Sequence, residues 1–460
     1  MSLILDGTNG LSDIDGSAAT PAIRGTDANT GIFFPAADTI AFSEGGTEVA
    51  RFNADSQFVA AAGTAALPVF TTTGDVNTGI FFPAADTIAF SEGGVESVRI
   101  DSSSNLSMTG GGTINTPNTF GFKNRIINGA MVIDQRNAGS AVTMTNPGTF
   151  DTDRWYCTNA SDGVMTAQQV SDAPAGFINS LKCTTTTADA TLGTSQRALV
   201  AQYIEGLNTA DLAWGTASAA TITISFWVKS SLTGTFGGSL RNNAADRSYP
   251  FTYAINAAST WEQKSVIITG DTTGTWLTTN GTGIGVHFGL GVATNLSGTA
   301  GAWAAANNLS ATGAVSVLGT LSATWQVTGV QLEKGTQATS FDYRPYGTEL
   351  ALCYRYFQKF LGTSAYEALP SYVIASSTTA LEGFLSYKQT MRVAPSLAVS
   401  TICVLDGVSV FSLSGASVVN GGVDSMRIAY SGATGLTQFR SYYVTANNST
   451  SAFLTLSSEL

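Results

Sequence analysis

Residues Asn29–Gly46 read NTGIFFPAADTIAFSEGG, and residues Asn77–Gly94 read the same eighteen letters again at an offset of 48. Likeness continues past the identical core: Asp27, Glu48 and Arg51 recur as Asp75, Glu96 and Arg99. A perfect repeat of this length marks duplication, and its internal pattern sets the fold class. Gly31-Ile32-Phe33-Phe34 is apolar and aromatic, and Pro35-Ala36-Ala37-Asp38 breaks it. Thr39-Ile40-Ala41-Phe42 and Glu48-Val49-Ala50-Arg51-Phe52 alternate, with Glu44-Gly45-Gly46 turning the chain between them. Period-two alternation bounded by Gly, Asp, Asn and Pro is the pattern of short β-strands and hairpins.

Two such units carry few large apolar side chains, whereas repeat arrays generally need about three units to bury a continuous core. The missing faces are expected from other copies of the same chain, in an intertwined homotrimeric shaft. Ile32, Phe33, Phe34 and Phe42, with Ile80, Phe81, Phe82 and Phe90 of the second copy, are the expected contacts between chains.

Outward from the repeats, residues 1–20 form an N-terminal arm with Leu3-Ile4-Leu5 as its apolar cluster, and 21–110 hold the two repeats. The Gly/Ser/Thr-rich run before Asn118 reads as a linker, taken as 111–119. From 120 to 347 strands dominate. In Thr221–Lys229, Ile222, Ile224, Phe226 and Val228 share one side. In Gly283–Val292, apolar residues share one side while Gly285, His287, Gly289 and Gly291 line the other. Three glycines beside a histidine mark a face closely approached by a strand, a neighbouring subunit or a ligand. With Thr324–Glu333 and many Gly-rich turns, the region reads as a jelly-roll β-sandwich.

Leu350, Cys353, Tyr354 and Phe357 fall at i, i+3, i+4 and i+7, so a connector helix is expected over 348–361. Residues 362–460 return to strands at Leu381–Tyr387, Met391–Ser396 and Thr401–Val410. A closing hairpin of Phe439–Thr445 with Ala452–Leu456 completes a small antiparallel domain. The fold class is all-β.

Composition bounds the function. Charged residues are 12% of 460, about half the usual ~25%, and Gly, Ser, Thr and Asn dominate the polar surface. A net charge of −11 argues against a nucleic-acid partner. No apolar run of about 18 residues is present to enter a membrane. The opening MSLILDGTNG lacks the basic and apolar regions of a secretory signal, so synthesis in the host cytoplasm and release by lysis are expected. Cys157, Cys183, Cys353 and Cys403 match no zinc spacing and read as buried thiols.

The lone histidine restricts any Ser-His-Asp constellation to His287, which reads as structural, and excludes multi-histidine metal sites. Glycoside hydrolysis needs two facing carboxylates. Asp151, Asp153, Asp271, Glu333 and Asp342 are available, yet no motif ties any two together. No catalytic residue and no cofactor is assigned, with a structural Ca²⁺ at Asp151-Thr152-Asp153 the one metal considered beside a plain solvated turn. Sugar binding asks for an aromatic platform flanked by amides or hydroxyls. Trp276 with Asn280, Trp303 and Trp227 are the candidates, against the reading of each tryptophan as core.

The stretches SLILDGTNG, the doubled NTGIFFPAADTIAFSEGG, NRIINGAMVIDQRNAG, DRWYC and VTGVQLEKGTQATSFDYRPYGTELALCYRYFQ resemble tail-fibre and related appendage proteins of tailed bacteriophages, nearest those of aquatic bacteria and cyanobacteria. The resemblance covers the first 100 residues and 120–360 well. Past 360 it touches only KQTMRVAPS. It implies a homotrimeric virion protein, attached to other virion proteins through its N-terminal part, with a sandwich like carbohydrate-binding modules presented to host cell-surface polysaccharide. A head-fibre or capsid decoration without receptor binding is the alternative, and a polysaccharide depolymerase the third reading.

Overall fold

A computed structural model describes residues 4–6, 10–12, 14–109 and 122–460. The chain divides into two compact units, 1–114 and 115–460. The linker expected at 111–119 lies outside the described residues, as do the side chains of Leu3-Ile4-Leu5; the backbone pairs Ile4–Asp6 with Gly10–Ser12.

In the first unit each copy of the repeat is its own five-stranded antiparallel sheet. Strands Ile23–Arg24, Gly31–Phe33, Ile40–Glu44, Thr47–Phe52 and Phe58–Ala60 make the first. Strands Phe70–Thr72, Asp75–Phe81, Ile88–Glu92, Val95–Ile100 and Leu106–Met108 make the second. Gly45 and Gly46 take φ of 60° and 83°, as do Gly93 and Gly94 at 58° and 81°, which is why the hairpin turn carries a Gly pair. The backbone NH of Gly46 donates to Asn29 O, and that of Gly94 to Asn77 O, each at 2.8 Å. Identical letters thus make the same bond at this turn.

The register sorts the apolar residues onto two sides. Phe33 pairs with Ala41, and both are buried at 4% and 0% exposure; Phe81 and Ala89 repeat this. The other side is built from Ile23–Ile32–Phe42–Ala50 and Ile40–Phe52–Phe58, cross-strand partners in register. Its copy is Phe70–Ile80–Phe90–Val98 and Ile88–Ile100–Leu106. This side is apolar throughout, yet Ile40, Phe52, Phe58, Ile88, Ile100 and Leu106 are exposed. The Phe52–Phe58–Phe70–Phe82 rings run on from one repeat to the next, with centroids 5.3, 6.2 and 6.4 Å apart. Of the expected inter-chain contacts, Ile32, Phe42, Ile80 and Phe90 lie on this uncovered side. Phe33 and Phe81 do not: they are packed within one chain, because odd and even positions of a strand point opposite ways. Phe34 and Phe82 follow the ends of their strands, half-buried and exposed respectively.

The second unit holds a sandwich of two six-stranded antiparallel sheets. One runs Val142–Thr143, Val164–Val170, Ser180–Thr187, Thr324–Lys334, Ile222–Ser230, Glu262–Ile268. The facing one runs Thr149–Phe150, Tyr156–Ala160, Arg197–Glu205, Thr282–Val292, Gly234–Arg241, Ser248–Ile255. Between them Phe226 and Phe288 lie 5.0 Å apart edge to face, with Tyr253 5.0 Å from Phe226. The buried Trp325 indole NH donates to the Tyr253 hydroxyl at 3.1 Å, so this aromatic pair is satisfied as well as packed.

Past the sandwich the expected helix is shorter, Tyr346–Tyr354, and Phe357 begins the strand Phe357–Gly362 rather than a last helical turn. Phe357 and Phe360 bury their rings in the strand, which overrides the i+7 spacing. Three further expectations are corrected. Met391–Ser396 is irregular, and the strand there is Ser396–Ser400; Thr401–Val410 splits into Ile402–Leu405 and Val410–Ser412. The closing hairpin does not form. Ser441–Ala446 enters a seven-stranded sheet between Ala368–Ala375 and Ile402–Leu405, while Ala452–Ser457 sits between Phe357–Gly362 and Ser396–Ser400 in a three-stranded one. Val373, Ile428, Val444, Leu454 and Leu456 pack as one core between these sheets.

Candidate functional site

Strands Tyr156–Ala160, Arg197–Glu205, Thr282–Val292 and Gly234–Arg241 are neighbours, and their register brings alternate side chains to the side away from the core. Tyr156 pairs with Ala201, Ala201 with His287, and His287 with Ser239; Tyr203 and Arg241 both pair with Gly285. Segment 293–316 folds back over the far end of this side, so that a Cβ on Gly289 would meet Ser310 Oγ at 2.7 Å and one on Gly291 would meet Ser316 Oγ at 2.9 Å. This is the close approach that the glycine-histidine pattern anticipates, supplied by the chain itself. What the segment leaves open is a cavity of about 320 Å³. Tyr156, Tyr203, His287, Arg197 and Arg241 form its polar wall, and Leu199, Leu296 and Leu309 its apolar one.

Each polar group has a defined state. The Tyr156 and Tyr203 rings are 5.9 Å apart, and Tyr203 meets His287 edge on at 5.7 Å. His287 is 1% exposed, and burial, reinforced by the Arg241 charge, pushes its pKa down to about 3. The imidazole is therefore neutral. Its Nδ1 lies 3.3 Å from Ser239 O, a carbonyl, so Nδ1 is the donor and Nε2 keeps a lone pair with no hydrogen-bond partner among the described residues. Arg241 donates from Nη1 to Asn307 Oδ1 at 2.6 Å, and its buried Nε has no partner among the described residues. Burial holds the Arg241 guanidinium below its ordinary pKa, and the Arg197 charge pushes the same way. Arg197 donates to Ser195 O at 3.2 Å.

The tryptophans expected to bind sugar lie elsewhere. Trp276 and Trp303 do come together, with Trp214, in a cluster of edge-to-face rings at 4.8, 5.3 and 5.4 Å. Their indole NH groups donate to Thr273 O and Thr269 O, so their polar atoms are taken up by the fold and their rings face one another. Asn280 bonds Arg392, its amide donating to Arg392 O at 3.3 Å and its carbonyl accepting at 3.0 Å. Trp227 is on the outer side of the opposite sheet, next to Gly329 and Phe177. The four residues do not form one site.

Asp151, Thr152 and Asp153 are buried rather than solvated, at 1%, 0% and 0% exposure. Asp153 accepts from the Gln135 backbone at 2.7 Å and its amide at 3.0 Å, while both Asp151 carboxylate oxygens lack partners among the described residues. Burial, then Asp134, raises the Asp151 pKa to about 7. Among the described residues no three acidic, histidine or cysteine side chains gather around a common point. Asp271 is paired with Arg247 at 2.7 Å and Glu333 with Thr339 at 2.6 Å, each in its own place. The four cysteines are buried thiols. Among the described residues no helix is long and apolar enough to cross a membrane.

No family model matches the chain, and no curated protein matches it. Solved structures do. The enzymatically active domain of bacteriophage CBA120 tailspike protein 4 is 13% identical with a TM-score of 0.26, over 46% of this chain and 21% of that one. A family 11 carbohydrate-binding module from Clostridium thermocellum in complex with a β-1,3-1,4-mixed-linked tetrasaccharide is 13% identical with a TM-score of 0.23, over 42% and 96%. TmCBM61 in complex with β-1,4-galactotriose is 10% identical with a TM-score of 0.22, over 42% and 97%. The first likeness spans about a fifth of the tailspike domain's own length.

Proposed function

We propose that this protein is a non-enzymatic, homotrimeric virion appendage of a tailed phage, a tail fibre or close relative. Its N-terminal part attaches to other virion proteins, and its sandwich binds host-surface glycan during adsorption. The observation that carries the binding half is the Tyr156/Tyr203 cavity. It offers aromatic rings to the C–H faces of a sugar, and hydrogen-bonding groups to its hydroxyls, in a pocket otherwise lined by leucines. None of its lining residues is an Asp or Glu, which supports binding over glycoside hydrolysis.

The trimer has its own support. Monomers rarely expose contiguous apolar patches beyond a few hundred Å², and each repeat here leaves an all-apolar sheet side uncovered. Three copies closing those sides together would bury them. Weak binding at one site then gains from three chains and several fibres acting at once.

Purified full-length protein should bind host cells and reduce phage adsorption when added first. A Tyr156→Ala/Tyr203→Ala variant of unchanged mass and melting temperature should do neither. Equal competition by that variant would end the reading of this cavity as the receptor site.

A further inference from the structure

We infer that the sugar taken by the Tyr156/Tyr203 cavity is an acidic one, its anionic group held by Arg197 and Arg241 and a neighbouring hydroxyl by His287. The inference rests on the glycan-binding reading and specifies its ligand.

Two cations share this pocket without an anion. Among the described residues neither Arg197 nor Arg241 has a carboxylate within 4.0 Å, whereas Arg136, Arg154, Arg247, Arg344 and Arg355 each do. The contrast is sharper because the chain is acidic, at −11 overall, and partners were plentiful. Like charges brought together in a half-buried pocket oppose each other and the fold. An incoming anion removes that opposition, and the planar guanidinium fork suits a carboxylate or a sulfate through paired N–H donors.

An anion alone would leave the pocket half satisfied. His287 lines the cavity and its buried Nε2 carries a lone pair, so it repels an anionic oxygen and accepts from a hydroxyl. The pocket therefore asks one ligand for an acceptor-rich anionic group and a hydroxyl donor, on a body with C–H faces for Tyr156 and Tyr203. A uronic acid or a sulfated sugar meets all three demands; inorganic phosphate or sulfate meets one. A volume of about 320 Å³ is at the small end of ligand pockets and suits a short stretch of glycan.

The test is calorimetry on the full-length protein with oligogalacturonate, oligoglucuronate and oligomannuronate, the methyl esters of the same oligomers, and carrageenan oligosaccharides as a sulfated sugar without carboxylate. An acidic oligomer should bind, esterification should cost at least tenfold, and raising NaCl from 50 to 500 mM should weaken it further. Arg197→Gln and Arg241→Gln should each lose about tenfold or more, and Arg197→Lys should keep part of the affinity. Preference for uronates identifies a carboxylate as the anion; preference for carrageenan identifies a sulfate; either supports the inference. Equal binding of esters and acids, dependent on Tyr203, would overturn the anion and leave glycan binding standing. Binding of nothing in the panel would overturn both, and so would affinity indifferent to all three arginine variants and to Tyr203→Ala.

Discussion

Arg154 and Glu459, 305 residues apart in sequence, form a salt bridge in which the two side chains are only 2% and 7% exposed. Glu459 also accepts from Arg136 at 2.6 Å, and the Arg154 guanidinium carbon lies over the Tyr356 ring, 3.6 Å from its centroid. The last residues of the chain thus reach back to the DRWYC segment of the sandwich and tie the C-terminal domain to it. Removing one partner of a buried pair leaves an uncompensated charge, a loss of about 3–5 kcal/mol. Glu459→Gln should therefore lower the urea midpoint of the second unit clearly. A variant as stable as the parent would mean that Arg154 is neutralised by other groups.

The two sides of each repeat predict opposite phenotypes. Phe33 is 4% exposed inside one chain, so Phe33→Ala should destabilise the first unit by about 3–5 kcal/mol. Ile40 and Ile88 are 44% and 42% exposed on the apolar side. Ile40→Asp with Ile88→Asp should leave a monomer folded but place charges where chains would meet. Light scattering should show a trimer for the parent and a smaller species for the double variant; a parent of monomer mass would remove the shaft.

Much of this was legible from alternation alone. Thr221–Lys229 and Gly283–Val292 are strands to within one residue at each end, because period two with a wholly apolar side admits no other buried arrangement. Pairing was less legible. Ser441–Ala446 and Ala452–Ser457 have hairpin spacing, yet each finds its partners among strands up to about 100 residues away, since burying Val444 and Leu454 on those partners decides the matter. The site was half visible. The glycines beside His287 marked the right side of the right strand, but Tyr156, Arg197, Tyr203, Arg241 and Asn307 come from four other segments, and only the fold assembles them. The packing of the tryptophans was not legible for a plain reason: sequence does not tell whether an indole face is open or already against another indole.

Asp151 predicts a pH dependence. Its folded pKa is raised to about 7 from an ordinary 3.8. Between those values the folded state holds a proton that the unfolded state has released. Stability therefore falls as pH climbs through this window, and the penalty is complete above pH 7. Asp151→Asn keeps the shape of the protonated acid and cannot ionise. Its melting temperature relative to the parent should rise from pH 4 to pH 8, by the equivalent of a few kcal/mol, roughly 1.4 per pKa unit. A pH-independent difference would show that Asp151 finds a partner on ionising.

Trp303 and Tyr203 separate stability from binding. Trp303 packs edge to face against Trp214, Trp276 and Tyr249, so Trp303→Ala opens a cavity against the sandwich core and should destabilise it by about 3–5 kcal/mol. Molecules that remain folded should still bind glycan, because the ring does not line the cavity. Tyr203 is half-buried at the cavity wall. Tyr203→Ala should cost less stability and most of the binding, since the tilted ring contact with Tyr156 and the edge contact to His287 are both lost. Measuring affinity and melting temperature on both variants gives a crossed pattern if the cavity is the site. Loss of glycan affinity in a folded Trp303→Ala sample, with Tyr203→Ala unaffected, would return the site to the tryptophan cluster.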